Sequence, residues 1–392
     1  MKVVVAQKGS REHFLVARAL HRQDMLAQLI VDWYPPAGLL GRFLPMAFGK
    51  PCEELPREKI AAMNTLGLQF RWRQRAATRT GNPHAAFLAT DAMFARRIAA
   101  RRLPPHDAFF GYAYASLEAL EAARDRGTLA VVDQIDPGFP EQQLVEAEAR
   151  AWPQLALPSP PVPPAYFDRA RREWQIADII VVNSEWTREL LRQDGAPDSK
   201  IAVLPLAYEP PIAPAPRQHA NRPLRILWLG SVSLRKGIQY LIEAARQLTD
   251  APVEFHIAGP LHIRHKALDT APANMRWLGH IPAANATALY AASDLFVLPT
   301  ISDGFAITQL EALAHGLPVV VTPNCARVVE DGATGFVVPP RDPTALAEAL
   351  LRFVRDPQLL ETMSPRCIRR AREFSIDRYS RQLATLLQER IQ

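Results

Sequence analysis

The chain has 392 residues, 48% of them hydrophobic and 22% charged, with a formal net charge of +6. That length allows two or three domains, each able to bury a core, and the composition excludes a disordered chain. Cys52, Cys325 and Cys367 are too few and too scattered for a disulfide framework or a Cys-x-x-Cys metal site, which fits a reducing compartment.

The chain opens with a short apolar run, Val3 to Ala6, then a polar turn containing Gly9 and Ser10 and a helical pattern at Phe14, Ala17 and Leu20. This run is too short for a signal-peptide core, and no stretch reaches the about 18 apolar residues of a membrane span. A cytoplasmic protein is expected. Strands are predicted at residues 29–32, 108–112, 129–133, 179–183 and 201–204, with helices at 116–126 and 141–152. A proline cluster at 153–164 reads as a stiff surface loop.

Residues 40–104 read as an insert carrying twelve Lys or Arg against four acids, interleaved with Phe43, Phe48, Phe70, Trp72, Phe87 and Phe94. Either it meets an anionic partner, a lipid-linked acceptor or the inner face of a membrane, or it is a helical insert with a solvated basic face. Five prolines between residues 206 and 223 mark a linker, because proline lacks the amide that helices and ladders need.

The strand–helix rhythm then repeats. Strands are predicted at 225–229, 254–258, 295–298, 318–321 and 336–338, and helices at 237–248, 285–292, 307–315 and 343–354. The organisation is therefore α/β: two Rossmann-like, doubly wound domains facing across a cleft. The first spans 1–205, the linker 206–223 and the second 224–375. A last helix, 376–392, is expected to pack back on the first domain.

The most informative stretch is Asp303-Gly304-Phe305-Ala306-Ile307-Thr308-Gln309-Leu310-Glu311, leading into Gly316-Leu317-Pro318-Val319-Val320. A loop entering a helix here aims unpaired amides and a positive dipole end at one spot, which suits phosphate. A second motif, Gly230 to Gly237, ends in Arg235-Lys236-Gly237. Two cations at a turn stabilise a leaving pyrophosphate most in the transition state.

These motifs resemble the signature of family 4 retaining glycosyltransferases (glycosyl transferases group 1, GT-B fold). That signature has an acid, Gly-Phe-Gly, a second acid eight positions after the first, and Gly-x-Pro-Val-Val. The resemblance covers nearly all of 225–355. It implies that Glu311 accepts from ribose hydroxyls and that Asp303 contacts the donor sugar. It further implies that amides around Ala306, Ile307 and Thr308 hold the pyrophosphate with Arg235 and Lys236. Gly230, Gly259, Gly304 and Phe305 would border the nucleotide, with His280 and Ile281 near the base. Two departures stand out: Asp303 replaces the usual Glu, and Ala306 replaces the second glycine. In many relatives a His ends an N-domain strand by the reaction centre. The comparable stretch here has none: either Asp133 or Asp136 occupies that region or the contact is absent. Gly9 and Ser10 would approach a phosphate.

The implied activity is transfer of a sugar from a nucleoside-diphosphate sugar to an acceptor hydroxyl, with retention, in surface glycan or exopolysaccharide synthesis. No cofactor and no metal are expected, since no Asp-x-Asp occurs. No nucleic-acid partner is expected, since the charge is concentrated in one insert without a stacking or zinc pattern. Two alternatives stay open: a nucleotide-sugar-binding subunit without transferase activity, and a sugar-nucleotide epimerase of the same architecture.

Overall fold

The computed structural model describes residues 1–36, 51–80, 83–209 and 222–390. The expected contacts of residues 40–50 and most of the Pro-rich linker lie outside the described residues.

The N-terminal half builds a seven-stranded parallel sheet. Its strands are β1 (Val3–Gln7), β2 (Leu26–Val31), β3 (Ile60–Ala62), β4 (Ala108–Tyr112), β5 (Leu129–Gln134), β6 (Ile179–Val182) and β7 (Ile201–Val203), in the order β3-β2-β1-β4-β5-β6-β7. The C-terminal half builds a six-stranded parallel sheet from β8 (Leu224–Leu229), β9 (Val253–Ala258), β10 (Met275–Gly279), β11 (Leu295–Leu298), β12 (Val319–Val321) and β13 (Gly335–Val337). Its order is β10-β9-β8-β11-β12-β13. The strands are continuous apolar runs because helices cover both faces. In each sheet the winding reverses beside the first strand, and the crevice at the carboxyl ends of the strands there is where such folds bind ligands.

The basic stretch is no separate insert. Its described part supplies the edge strand β3, which pairs with β2, and two crossover helices, Asn64–Thr80 and Pro83–Ala99. Leu66, Phe70, Phe94 and Ile98 face the core, whereas Leu68, Trp72 and Phe87 are exposed. The proline cluster at 153–164 is more than a surface loop. The Leu155 and Ala156 carbonyls accept hydrogen bonds from the Arg264 amide (2.9 Å) and guanidinium (2.7 Å), so this loop ties the halves together.

The helix Ile376–Gln388 crosses back onto the first half. Tyr379, Leu383 and Leu387 are buried there, and Asp377 accepts from Arg22 at 2.7 Å. Its start is capped by Ser375, whose hydroxyl accepts from the Arg378 amide.

Candidate functional site

The two winding-reversal points face each other. From the C-terminal half come the turn after β8, with Arg235 and Lys236, and the loop after β11, with Asp303. Asp303 holds the loop together: one carboxylate oxygen pairs with Lys236, and the other accepts from the Ala306 amide at 3.1 Å. Arg235 stands 3.8 Å from Asp303, 3.5 Å from Glu141 of the N-terminal half, and donates to the Ser302 carbonyl at 3.1 Å. Burial and the neighbouring Arg235 charge push the Lys236 ammonium down to about 7.

The helix Ile307–Ala314 begins one residue after Ala306, which is left-handed at φ 62°. Its first amides have no intrahelical acceptor, and Ala306 and Ile307 line a cavity at the junction. Glu311 lies on its next turn, accepts from the Tyr290 hydroxyl at 2.7 Å, and has its carboxyl raised by burial. Tyr290 in turn stacks on His315, with ring centroids 4.9 Å apart.

The two halves are in direct contact here. Ser184 caps the helix Glu185–Gln193 and donates to the Gly304 carbonyl, while the Trp186 indole donates to the Ser302 hydroxyl at 2.9 Å. A Cβ on Gly304 would lie 2.3 Å from the Ile135 carbonyl oxygen. The glycine is thus explained by the approach of the other half.

Two cavities flank this junction. One, of about 560 Å³, is walled by Asp303, Phe305, Ala306, Ile307 and Glu311 on one side and Glu12 and His13 on the other. The other, of about 900 Å³, lies in the N-terminal half among Lys8, Gly9, Phe87, Asp136 and Glu141 and is closed by Ser233 and Arg235. The Arg235–Lys236–Asp303 cluster sits between them. One cavity can take a ligand at a helix start, with the cation cluster beside it, and the other a ligand presented from the N-terminal half.

Comparison with known proteins agrees with this geometry. Residues 223–356 match the family model described as glycosyl transferases group 1. Those residues form a glycosyl transferases group 1 domain. The chain is 30% identical over 243 residues to the putative colanic acid biosynthesis glycosyltransferase WcaL of Salmonella typhimurium, covering 57% of this chain and 59% of that protein. It is 27% identical over 221 residues to the O-antigen chain mannosyltransferase B of Escherichia coli, covering 51% and 57%. The matches thus span little more than half the length of these relatives. In fold, the chain resembles Anabaena Alr3699/HepE in complex with UDP, with a TM-score of 0.64 and 15% identity over 99% of this chain and 100% of that one. The two Rossmann-like sheets therefore form a GT-B architecture.

Within the group 1 domain, Arg235, Lys236, Asp303, Phe305, Ala306, Ile307 and Glu311 gather at the junction. Asp303 is engaged by Lys236 and by the helix start. Gly230 and Gly259 meet each other: a Cβ on Gly259 would lie 1.7 Å from the Gly230 carbonyl oxygen, so this pair serves the packing of two turns. Thr308 presents its carbonyl to Tyr290 at 3.4 Å. His280 is exposed, Ile281 is half-buried, and neither lines the 560 Å³ cavity.

In the N-terminal half Gly9 lines the larger cavity and donates to Asp32 at 2.6 Å, whereas Ser10 is exposed and does not line it. Asp136 reaches that cavity but is occupied by the Tyr114 hydroxyl (2.8 Å) and the Gly138 amide (2.9 Å). Asp133 is only 4% exposed and lines neither cavity, which rules out direct contact with a ligand there. Burial pushes its carboxyl well up.

Sequence reasoning missed three acids. Glu141 faces Arg235, and burial raises its carboxyl. Glu148, seven residues on, is buried and accepts from Gln239 (2.9 Å), Tyr240 (2.8 Å) and Arg341 (2.6 Å) of the group 1 domain. Their spacing places both on one helical face, the only signal available. The third is Glu12.

Proposed function

We propose that the protein is a glycosyltransferase acting in surface glycan or exopolysaccharide synthesis. It moves a hexosyl group from a nucleoside-diphosphate sugar to an acceptor hydroxyl with retention. The observation that carries this reading is the cluster of Arg235, Lys236 and the start of helix Ile307–Ala314 between two cavities. A pyrophosphate seated on the helix amides meets both cations. As the glycosidic bond breaks, negative charge grows on that leaving group, and cations fixed in a buried site stabilise it without reorganising. They also do the electrostatic work that a divalent ion does elsewhere, so the reaction is metal-independent. Binding of the diphosphate favours charged Lys236 and draws it off Asp303, freeing that carboxylate for sugar hydroxyls. Glu311 accepts from the ribose. The acceptor occupies the N-terminal cavity, and domain closure excludes water.

Thermal shift with UDP, GDP, ADP, CDP and TDP tests this. Saturation at 100 times the dissociation constant adds about 2.7 kcal/mol, a shift of several degrees. One nucleotide should stabilise the wild type and lose its effect in Glu311→Ala. No shift with any of the five, in folded protein, contradicts the reading and the nucleotide-sugar-binding alternative alike.

The helix Asn64–Thr80 carries exposed Leu68 and Trp72, the latter 73% exposed, beside Arg73 and Arg75, with exposed Phe87 on the next helix. Among the described residues no helix is long and apolar enough to cross a membrane. We read this patch, which adjoins the N-terminal cavity through Phe87, as a peripheral contact with an anionic membrane holding a lipid-linked acceptor. Co-sedimentation with vesicles containing about one third anionic lipid should fall several-fold in Trp72→Ala, with roughly 1 kcal/mol lost per basic residue removed. Equal sedimentation of the two proteins defeats the membrane assignment.

A further inference from the structure

The N-terminal half contributes a group to the 560 Å³ cavity that the reaction as described leaves unused. After β1, three successive residues are left-handed: Glu12 at φ 52°, His13 at 50° and Phe14 at 62°. None is glycine, so the conformation is strained, and such strain persists only where the surroundings impose it. The run delays the helix Leu15–Arg22 and brings Glu12 against the cavity wall. Its Oε2 is buried and has no hydrogen-bond partner, while the residue lines the cavity opposite Asp303 and Glu311.

The groups facing this carboxyl come from four elements. They are Arg11 on its own loop, Tyr112 at the end of β4, Asp133 near the end of β5, and Tyr379 on the C-terminal helix. Burial pushes Glu12 up to about 7, with Arg11 pulling it back. Asp133 is pushed up by burial and by the Glu12 charge.

A carboxyl that lines a ligand cavity presents an acceptor there, and a ligand seated against it has to supply the donor. The diphosphate cannot supply it, because it carries only acceptors and negative charge, and its cationic partners Arg235 and Lys236 are not among the residues that line this cavity. The sugar has hydroxyl donors. We propose that Glu12 accepts a hydrogen bond from a hydroxyl of the transferred hexosyl group, with Asp133 positioning it from behind. This rests on the nucleotide-sugar reading above. The strained run is then the device that brings a carboxylate where glycine-rich backbone alone would leave the sugar unread.

Isothermal titration of wild type, Glu12→Gln and Glu12→Ala tests it, with UDP, GDP, UDP-glucose, UDP-galactose and GDP-mannose between pH 6 and pH 8. Melting curves establish that each variant is folded. Glu12→Ala should bind the bare nucleotide within about twofold of wild type and the nucleotide sugar at least roughly fivefold more weakly, the loss of one hydrogen bond. Glu12→Gln, which keeps an acceptor oxygen, should lose less. In wild type the ratio of the two dissociation constants should change across pH 7, and in Glu12→Gln that change should vanish. Equal weakening of both ligands, or a ratio unchanged by substitution and pH, overturns the proposal while leaving the nucleotide-sugar reading intact. A wild type that binds bare nucleotide but none of the three sugars also overturns it. A wild type that binds none of the five ligands instead removes the reading on which it rests.

Discussion

The two halves wind their sheets in the same order yet equip the winding-reversal point differently. The C-terminal one offers cations and a helix start, held by the Lys236–Asp303 pair and by glycines packed turn against turn. The N-terminal one offers carboxyls, Glu12 over Asp133, on a non-glycine left-handed loop. The same backbone topology thus brings Arg235 and Lys236 to a shared junction from one half and the Glu12 carboxyl from the other. A nucleotide sugar needs this asymmetry, because its phosphates seek cations and amides and its hydroxyls seek acceptors. Fold alone dictates neither side, and the chemistry comes from side chains placed at the strand ends.

Breaking the cationic side gives the largest effect. Arg235→Ala should lower turnover by about 10²–10³-fold while the melting temperature moves little, since the lost interaction strengthens most in the transition state. Donor-hydrolysis or transfer rates check this. A loss confined to KM would mean that the cations bind donor without assisting departure.

An intermediate effect comes from pH. Lys236 sits near 7 in the free protein, and a bound diphosphate favours its charged form, so binding takes up a proton above pH 7. Nucleotide affinity should therefore fall as pH rises from about 7, by at most roughly tenfold per unit. Lys236→Arg should flatten the profile, because arginine stays charged. For the empty fold the sign is opposite. A base whose folded value lies below its unfolded value adds stability as pH rises from about 7 toward the ordinary lysine range. Titration calorimetry and melting at each pH separate the two trends.

The smallest effect sharpens the contrast between the loops. Ala306, like Glu12, is left-handed without being glycine. Ala306→Gly removes a cost of roughly 1–2 kcal/mol but adds backbone entropy of roughly 0.5–1 kcal/mol in the unfolded chain. A net gain of up to about 1.5 kcal/mol is expected, a rise of a few degrees at most by calorimetry. A fall in stability would mean that the Ala306 methyl makes contacts worth more than its strain.

Most of the sheet architecture was legible because parallel strands buried on both faces read as apolar runs with helical spacers between them. The exceptions have physical causes. Ile60–Ala62 is three residues long at a sheet edge, with two alanines, and becomes a strand only because β2 has a free side to pair with. Met275–Gly279 carries Arg276 and Gly279, which interrupt the apolar run that marks a strand. Pro365 lies inside the helix Gln358–Arg372, which obscured that helix.

The candidate site divides along the same line. Arg235, Lys236, Asp303 and Glu311 stand in contiguous stretches, so sequence by itself determined which residues cluster at each strand end. Only the tertiary structure decided what meets them across the junction. Glu141 against Arg235, Glu148 against Gln239, Tyr240 and Arg341, and Ser184 against Gly304 join residues 90 to 200 positions apart. Arg11-Glu12-His13-Phe14 reads locally as a helix start. What made it a left-handed loop aimed at the 560 Å³ cavity was burial against β4, β5 and the returning C-terminal helix, a constraint that local periodicity does not carry.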